Sequence, residues 1–209
     1  MRPSIAFLVI SKFYDLVLHV VNTHYKNDSI HLYKCIFDEA IKVAKAIEQE
    51  NRIDCIITAG STYKLLSQEV TTPILSITVS GFDLLNAIKE ASTVDSNIAV
   101  VLHEKRIIDL DKIADMLPVN LEQRIYKNHN DLYRQVDDLF RNNFRTFVGT
   151  ATVCDYAEKK GASAFLIYRE DAVHQAIATA KQNYMDRYRE LQRSRMFQTI
   201  LDFCSDGII

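Results

Sequence analysis

Apolar residues along the chain fall into short continuous runs, separated by stretches in which they recur every three or four positions. The continuous runs cover residues 5–10, 55–58, 74–79, 98–102, 146–148 and 164–168, with weaker runs at 29–33 and 119–125. Such runs are typical of strands that are covered on both faces. Residues 35–50 and 130–142 instead place their apolar residues at helical spacing. This alternation predicts an α/β fold with parallel sheets.

The chain also repeats itself after about 90 residues. Residues 5–12 resemble residues 98–105, and residues 60–88 can be laid over residues 149–177. The second overlay places Ala87-Ile88 on Ala176-Ile177. We therefore expect two similar α/β/α lobes with small parallel sheets, arising from a tandem duplication. The division we expect is a first lobe at 1–84, a second lobe at 85–170 and a long helix at 171–203.

Two helices are expected to connect these lobes. The helix that begins near Phe82 would cross to the second lobe, and the helix that begins near Asp171 would cross back. Between Asp171 and Phe203 there is no Gly or Pro, so this second helix is far longer than the globular average.

The long helix carries apolar residues past the point where the lobes should end. Tyr184, Tyr188 and Leu191 keep a helical spacing, and apolar positions resume at Met196. We expect its second half to project from the lobes and to form a homodimer with the same helix of a second chain. The alternative is a helix that folds back onto its own lobe.

Composition narrows the possible functions. The 209 residues carry a net charge of −2, which gives no general attraction for nucleic acid. Four separated cysteines without a C-x-x-C pair predict neither a disulfide framework nor a zinc site, and favour a reducing cytoplasm. No apolar stretch is long enough to span a membrane.

Motifs for common cofactors and catalytic centres are missing from the sequence. There is neither a P-loop nor a G-x-G-x-x-G motif, so no nucleotide cofactor is expected. The histidines form no H-x-x-x-H or H-E-x-x-H pattern, so no metal is expected, and there is no G-x-S-x-G elbow. His103-Glu104 is an acid–base pair without a third partner, and we expect no catalysis by this chain.

Two turns of small residues are the strongest candidates for a binding site. Each follows a predicted strand and opens a helical pattern; their residues are Gly60, Ser61, Thr62 and Gly149, Thr150, Ala151, Thr152. Helix N-termini at the carboxyl ends of strands bind anions. The turns therefore predict a small anionic metabolite, a carboxylate or a phosphate, between the lobes. Ordinary helix capping by Ser61 or Thr150 is the alternative.

Other strand-end residues are expected to complete this site. Ser11, Ser80, Phe82 and His103 would line the wall, and Asp83 would either face the ligand or stabilise the start of its helix. Arg169 is the cation that we expect to pair with a ligand carboxylate, with a tenfold to hundredfold effect on affinity. A salt bridge on the surface is the alternative role for Arg169.

Several segments resemble a known family. Ile56-Ile57-Thr58-Ala59-Gly60-Ser61-Thr62, Val79-Ser80-Gly81-Phe82-Asp83-Leu84-Leu85 and Cys154-Asp155-Tyr156-Ala157 resemble the N-terminal sensory domain of the propionate catabolism activators, the PrpR family. The resemblance implies two chelatase-like α/β/α lobes with a small effector in their cleft, which is 2-methylcitrate in the propionate regulators. The family's first turn commonly reads Arg-Gly-Gly-Thr, and this chain has Ala59 where the family has the arginine. We expect Arg169 to supply the missing positive charge.

The resemblance also implies a larger regulator. Such domains head sigma-54-dependent, NtrC-like activators, in which a PAS domain, an AAA+ ATPase and a helix-turn-helix follow. Residues 200–209 resemble the opening of the PAS domain, whose segment we expect at 204–209. Contacts to DNA and to sigma-54 RNA polymerase would belong to the later domains. The expected function is effector sensing. The alternatives are a racemase-like or lyase-like enzyme acting on a small carboxylate in the same cleft, and a structural dimerisation module.

Overall fold

The computed structural model describes residues 2–35, 37–104, 106–107, 110 and 117–205. Its strands are β1 Ser4–Val9, β2 Ser29–Lys34, β3 Cys55–Ala59, β4 Ile74–Ile77, β5 Asn97–His103, β6 Asn120–Tyr126, β7 Thr146–Gly149 and β8 Ser163–Leu166. Its helices are α1 Ser11–His24, α2 Phe37–Glu50, α3 Ser61–Leu66, α4 Gly81–Ser92, α5 His129–Arg141, α6 Ala151–Lys159 and α7 Glu170–Ser205. In this part of the chain, no helix is both long enough and apolar enough to cross a membrane.

The strands form two parallel sheets with the same topology. The first has the order β2-β1-β3-β4 and the second the order β6-β5-β7-β8. In the first sheet Ile5 lies opposite Ile30 and Cys55. The predicted α/β fold with two similar parallel-sheet lobes is therefore confirmed, as is the long C-terminal helix.

Burial on both faces explains the continuous apolar runs. In β1, Ile5, Phe7 and Val9 point into the largest core cluster, whereas Ala6 and Leu8 point to the core under α2. The β5 strand repeats this arrangement, with alternate residues in the largest cluster and in the core under α5 and α6. A strand between two cores has no polar face, so alternation of polar and apolar residues disappears.

Two helices cross between the lobes, because each packs on the sheet of the other lobe. The α4 helix follows the last strand of the first sheet but packs on β5, β7 and β8 of the second. The first half of α7 follows the second sheet and packs on α1, β3 and β4 of the first. Ala87 and Ile88 of α4 are buried, as are Ala176 and Ile177 of α7, so the repeat in the sequence corresponds to equivalent packing. The exact boundaries of the four predicted segments stay a prediction, and residues 206–209 lie outside the described residues.

Local differences from the expected elements have physical causes. The α1 helix had no start signal because its N-cap is Ile10, whose side chain cannot cap, and Ser11 takes a positive φ of 48°. β4 and β8 end at Ile77 and Leu166, two residues earlier than expected, because the chain leaves each sheet there to enter a crossing helix.

The second half of α7 extends beyond the lobes. Near the middle of α7, Arg187 Nη2 donates a hydrogen bond of 3.4 Å to the Asp54 carbonyl oxygen of the first lobe. Beyond it Leu191, Met196 and Phe197 are exposed. At 100° per residue, Met196 lies about 140° around the helix axis from Leu191. The exposed apolar residues therefore occupy two faces.

Candidate functional site

The carboxyl ends of both sheets face one cleft between the lobes. At its centre a small cavity of about 40 Å³, here called the inner cavity, lies between the two turns. The lining includes Gly60, Ser61 and Thr62 from the first lobe and Thr150, Ala151 and Thr152 from the second. This volume accommodates one or two water molecules, so the turns already lie close together.

A larger cavity continues from the inner one on the side of β4 and β8. This outer cavity has a volume of about 440 Å³ and shares Gly60, Thr150 and Tyr168 with the inner cavity. His103 and Arg106 contribute polar groups, and Ile77, Val79, Leu102, Ile107 and Ile167 give most of its apolar wall. The size and the mainly apolar lining are those of a small-molecule site.

On the opposite side of the inner cavity, a third space of about 820 Å³ opens beside α1 and α6. This lateral cavity is lined by Ser11, Lys34, Thr152, Asp155 and Lys159, among others. The three cavities together follow the cleft from one edge of the sheets to the other.

Direct contacts hold the lobes together across the cleft. Ser11 donates a hydrogen bond to Asp155, and Lys12 forms an ion pair with Glu158. Lys64 pairs with Glu104 at 2.7 Å. In the centre Phe13 stacks on Tyr168, with ring centroids 4.3 Å apart. The structure is therefore a closed arrangement of the two lobes.

Burial favours the neutral forms of three side chains in the cleft walls, those of His103, Tyr126 and Tyr168. Burial lowers the pKa of His103, although Glu104 and a hydrogen bond with the Lys127 backbone oppose this. Burial raises the pKa of Tyr126 and of Tyr168, and the Tyr126 hydroxyl lies 3.0 Å from the Thr150 hydroxyl. Among the described residues that line the outer cavity, Arg106 is the one whose side chain keeps a positive charge at neutral pH.

The structure brings most of the predicted residues to the cleft. Gly60, Ser61, Thr62, Thr150, Ala151 and Thr152 line the inner cavity, His103 lines the outer cavity and Ser11 lines the lateral cavity. Ligand contacts by these residues stay a prediction.

Four predicted residues lie elsewhere. Ser80 and Asp83 form a capping box at the start of α4, in which Asp83 Oδ2 accepts hydrogen bonds from the Ser80 amide and hydroxyl at 2.8 and 2.6 Å. Phe82 is 66% exposed. Arg169 pairs with Glu90 of α4 at 2.6 Å and lines a separate depression beside Asp83. The structure therefore places these four residues beside α4 and outside the linings of the three cleft cavities, and their contact with a ligand stays a prediction.

The two turns are less alike than their sequences suggest. The α3 helix has only six residues and begins after Gly60, which takes a φ of +57°. Its dipole is therefore small. The α6 helix has nine residues, and Thr150 occupies its N-cap position, but the Thr150 side chain makes no cap hydrogen bond. Its hydroxyl lies beside Tyr126 instead, so the predicted alternative of simple capping does not describe either turn.

Gly149 has a packing role. A Cβ atom at this position would lie 2.7 Å from a Val153 side-chain carbon and 2.9 Å from the Val101 carbonyl oxygen. Because the Val101 backbone belongs to the central strand, it cannot move away. Gly149→Ala is expected to destabilise the fold by about 1–3 kcal/mol, measured by urea denaturation. Gly81→Ala is the control, since a Cβ there meets nothing within 4 Å; equal stability of the two variants would contradict the packing argument.

Sequence reasoning missed Phe13, Arg106, Tyr126 and Tyr168. The three aromatic residues were missed because the sequence does not show which apolar or strand-end side chains will face the other lobe. Arg106 had a signal, because it lies shortly after the end of β5, near the repeat of the Ser11-Lys12 segment that was assigned to the cleft.

Acidification is expected to destabilise the protein. Burial lowers the pKa of His103 and of His129, and the neighbouring His103 lowers the pKa of His129 further. The unfolded chain therefore binds protons at a higher pH than the folded chain, and stability falls as the pH drops below the unfolded value of about 6.5. Asp131 and Asp137 have lowered pKa values, so their contribution is lost only in a more acidic range.

Denaturation midpoints at pH 7.5 and 5.5 measure this effect. The double variant His103→Gln/His129→Gln should lose less stability between these two pH values than the wild type does. An equal loss would show that other groups carry the acid sensitivity.

The sequence of the chain matches a known protein family. A sequence model of the family PrpR_N, described as propionate catabolism activator, matches residues 24–190, which is well over half of the chain. The chain belongs to this family. Membership of the PrpR_N family identifies it as a regulatory domain of a transcription activator.

One of the solved structures that were compared with this PrpR_N domain shares its fold. An NtrC family transcriptional regulator from Clostridium acetobutylicum is 24% identical, with a TM-score of 0.73 over 86% of this chain and 95% of that one. A chain described as a LacI-family repressor from Corynebacterium glutamicum has a TM-score of 0.45 and 11% identity, over 84% and 89% of the two chains. An aspartate racemase homologue from Pyrococcus horikoshii has a TM-score of 0.36 and 13% identity, over 86% and 99%. The last two are too remote to support an argument about function.

Proposed function

We propose that this chain is the effector-sensing domain of a sigma-54-dependent activator and that it binds a small anionic metabolite between its lobes. The observation that carries the proposal is the outer cavity, which has the volume of a metabolite site and walls from both lobes. Membership of the PrpR_N family supports the regulatory role.

The outer cavity supplies groups suited to a carboxylate. Arg106 can form a two-point hydrogen-bonded pair with a carboxylate or a phosphate. The Ser76 and Thr78 hydroxyls and the His103 ring line the same space. Gly60 and Thr150 lie where this cavity meets the inner one. A ligand held by Arg106 would reach the two turns from there, and Gly60, Ser61, Thr62 and Thr150 to Thr152 remain its proposed contacts.

Binding to both turns requires the lobes to separate first. The inner cavity is too small for a metabolite, and the stack of Phe13 on Tyr168 occupies the centre of the cleft. The Ser11–Asp155 and Lys12–Glu158 contacts stabilise the closed arrangement. The ligand would therefore bind an open form and shift the equilibrium between open and closed lobes.

The long helix is the proposed output. The first half of α7 packs on the first lobe, and its exposed second half would pair with the same helix of a second chain. Movement of the lobes would pass along it towards PAS, AAA+ and helix-turn-helix domains of a cytoplasmic regulator. Contacts to DNA and to sigma-54 RNA polymerase belong to those domains.

A two-thiol racemase finds no support in the cleft. Cys55 lies inside β3 and Cys154 inside α6, and both are buried. Burial raises the pKa of Cys55 to about 11 and that of Cys154 to about 12, so both are thiols at neutral pH. A catalytic cysteine needs the thiolate.

Calorimetry with a panel of dicarboxylates, tricarboxylates and organic phosphates tests the proposal. At least one anion should bind with a single site per chain, and its affinity should fall as salt rises. Neutral compounds of similar size are the controls. Tighter binding of the neutral set, or no binding by the whole panel, would contradict an anion sensor.

A further inference from the structure

A cluster of potential metal ligands lies where the end of α1 meets the first turns of α7. His24 at the end of α1, and Glu170 and His174 in the first turns of α7, each offer a ligand atom within 4.8 Å of the others. His24 and His174 also pack ring against ring, with centroids 5.0 Å apart. The spacing of histidines in the sequence could not show this cluster, because α1 and α7 lie at opposite ends of the chain.

The geometry of this cluster is suited to a metal. Glu170 and His174 are four residues apart on one helix, so their side chains lie on the same face. Ligand atoms around a tetrahedral zinc ion, at about 2.0–2.1 Å from it, lie closer together than 4.8 Å. His24 and Glu170 are exposed, so small side-chain rotations can close this difference.

One member of the cluster already has an outer partner. The Tyr25 hydroxyl lies 2.8 Å from His174 Nδ1. When Nδ1–H donates to this hydroxyl, Nε2 carries the lone pair and can coordinate a metal. Hydrogen bonds of this kind orient histidine ligands in metal sites. Tyr25 is itself fixed, because Lys181 lies 5.0 Å from its ring centroid and pairs with Asp28 at 2.9 Å.

We propose that His24, Glu170 and His174 bind a divalent transition-metal ion of the zinc class. Two imidazoles and one carboxylate suit such an ion, whereas magnesium and calcium prefer oxygen ligands. The ion ties the end of α1 to the beginning of α7, and so fixes the root of the long helix on the first lobe. His19 Nε2, which lies 3.8 Å from Glu170 Oε1, is a neighbour of the site and not one of its ligands.

Titration of the metal-stripped chain with Zn²⁺ in a calorimeter tests the site. One equivalent should bind, and Mg²⁺ should not compete. At a free zinc concentration of about one hundred times the Kd, the melting temperature should rise by roughly 5–10 °C and return to its starting value with a chelator. Co²⁺ bound in place of Zn²⁺ should give the visible absorption bands of a four-coordinate site.

Variants assign the ligands. His24→Ala and Glu170→Gln should each weaken zinc binding at least tenfold, and Tyr25→Phe should weaken it by about tenfold or more without removing the site. Glu170→Gln changes an exposed side chain of the same shape, so a folding failure is not expected there. His31→Ala, an exposed histidine of β2, is the control and should bind as the wild type does. Absence of zinc binding by the wild type, or equal binding by wild type, His24→Ala and Glu170→Gln, would overturn the proposal.

Discussion

Arg106→Ala is expected to weaken binding of an anionic effector by roughly ten- to a hundredfold. A charge-assisted hydrogen bond contributes about 1.5–3 kcal/mol, and each 1.4 kcal/mol changes an equilibrium constant about tenfold. Arg106 lines the outer cavity together with His103 and Tyr168. Its side chain is exposed, so its removal should leave the stability of the lobes nearly unchanged. Calorimetry with the best anion from the panel measures the loss.

Arg169→Ala is the matched control for this experiment. Arg169 pairs with Glu90 and lines a depression apart from the cleft cavities. Its replacement should therefore leave affinity within about twofold of the wild type, since a surface ion pair contributes little. The reverse pattern, with Arg169→Ala weakening the binding and Arg106→Ala having no effect, would restore the assignment suggested by the sequence and exclude the outer cavity as the anion site.

Gln192→Pro is expected to abolish the proposed helix-mediated dimer while the lobes stay intact. Proline removes the backbone hydrogen bond to the residue four positions earlier and its ring collides with that carbonyl group, at a cost of about 3 kcal/mol or more. Because residues 188–200 are exposed, little burial is available around Gln192 to compensate for the break. Light scattering should show a dimer for the wild type and a monomer for the variant, with unchanged effector affinity.

Gln192→Ala is the control for the break in the helix. Alanine keeps the helix and removes only the hydrogen bond from Gln192 Nε2 to the Tyr188 hydroxyl, which is 3.0 Å long. This variant should remain a dimer. A wild type that is monomeric at high concentration, or a proline variant that dimerises as well as the wild type, would contradict the role of α7.

Much of the fold could be predicted because it depends on local patterns. The apolar runs of β1 and β5 follow directly from the burial of these strands between two cores. The repeat with an offset of 89 residues aligns Ala87-Ile88 with Ala176-Ile177, and these pairs lie in equivalent helices. The α1 helix escaped prediction because Ile10 cannot cap it and no acidic residue lies in its first turn. Its helical form depends on packing of Phe13 and Val17 into the core.

The site was less predictable because it depends on contacts across the lobes. The two turns were predicted from their residue types, which have a local meaning. The ion pair of Arg169 with Glu90 could not be predicted, because Glu90 lies on a helix that only the fold brings beside Arg169. For the same reason the sequence does not predict the contact of His24 with His174 or that of Phe13 with Tyr168.

The two crossings between the lobes determine how the cleft can open. Thr78 and Val79 precede the first crossing helix, Ile167 and Tyr168 precede the second, and all four line the outer cavity. The two covalent connections therefore lie close together at the β4–β8 edge, and we expect the lobes to turn about an axis there. Rotation about this axis separates the opposite edge most, where Ser11 meets Asp155 and Lys12 meets Glu158. A metabolite would then enter from the lateral side, and α7, which begins at the β4–β8 edge and packs on the first lobe, would turn together with that lobe.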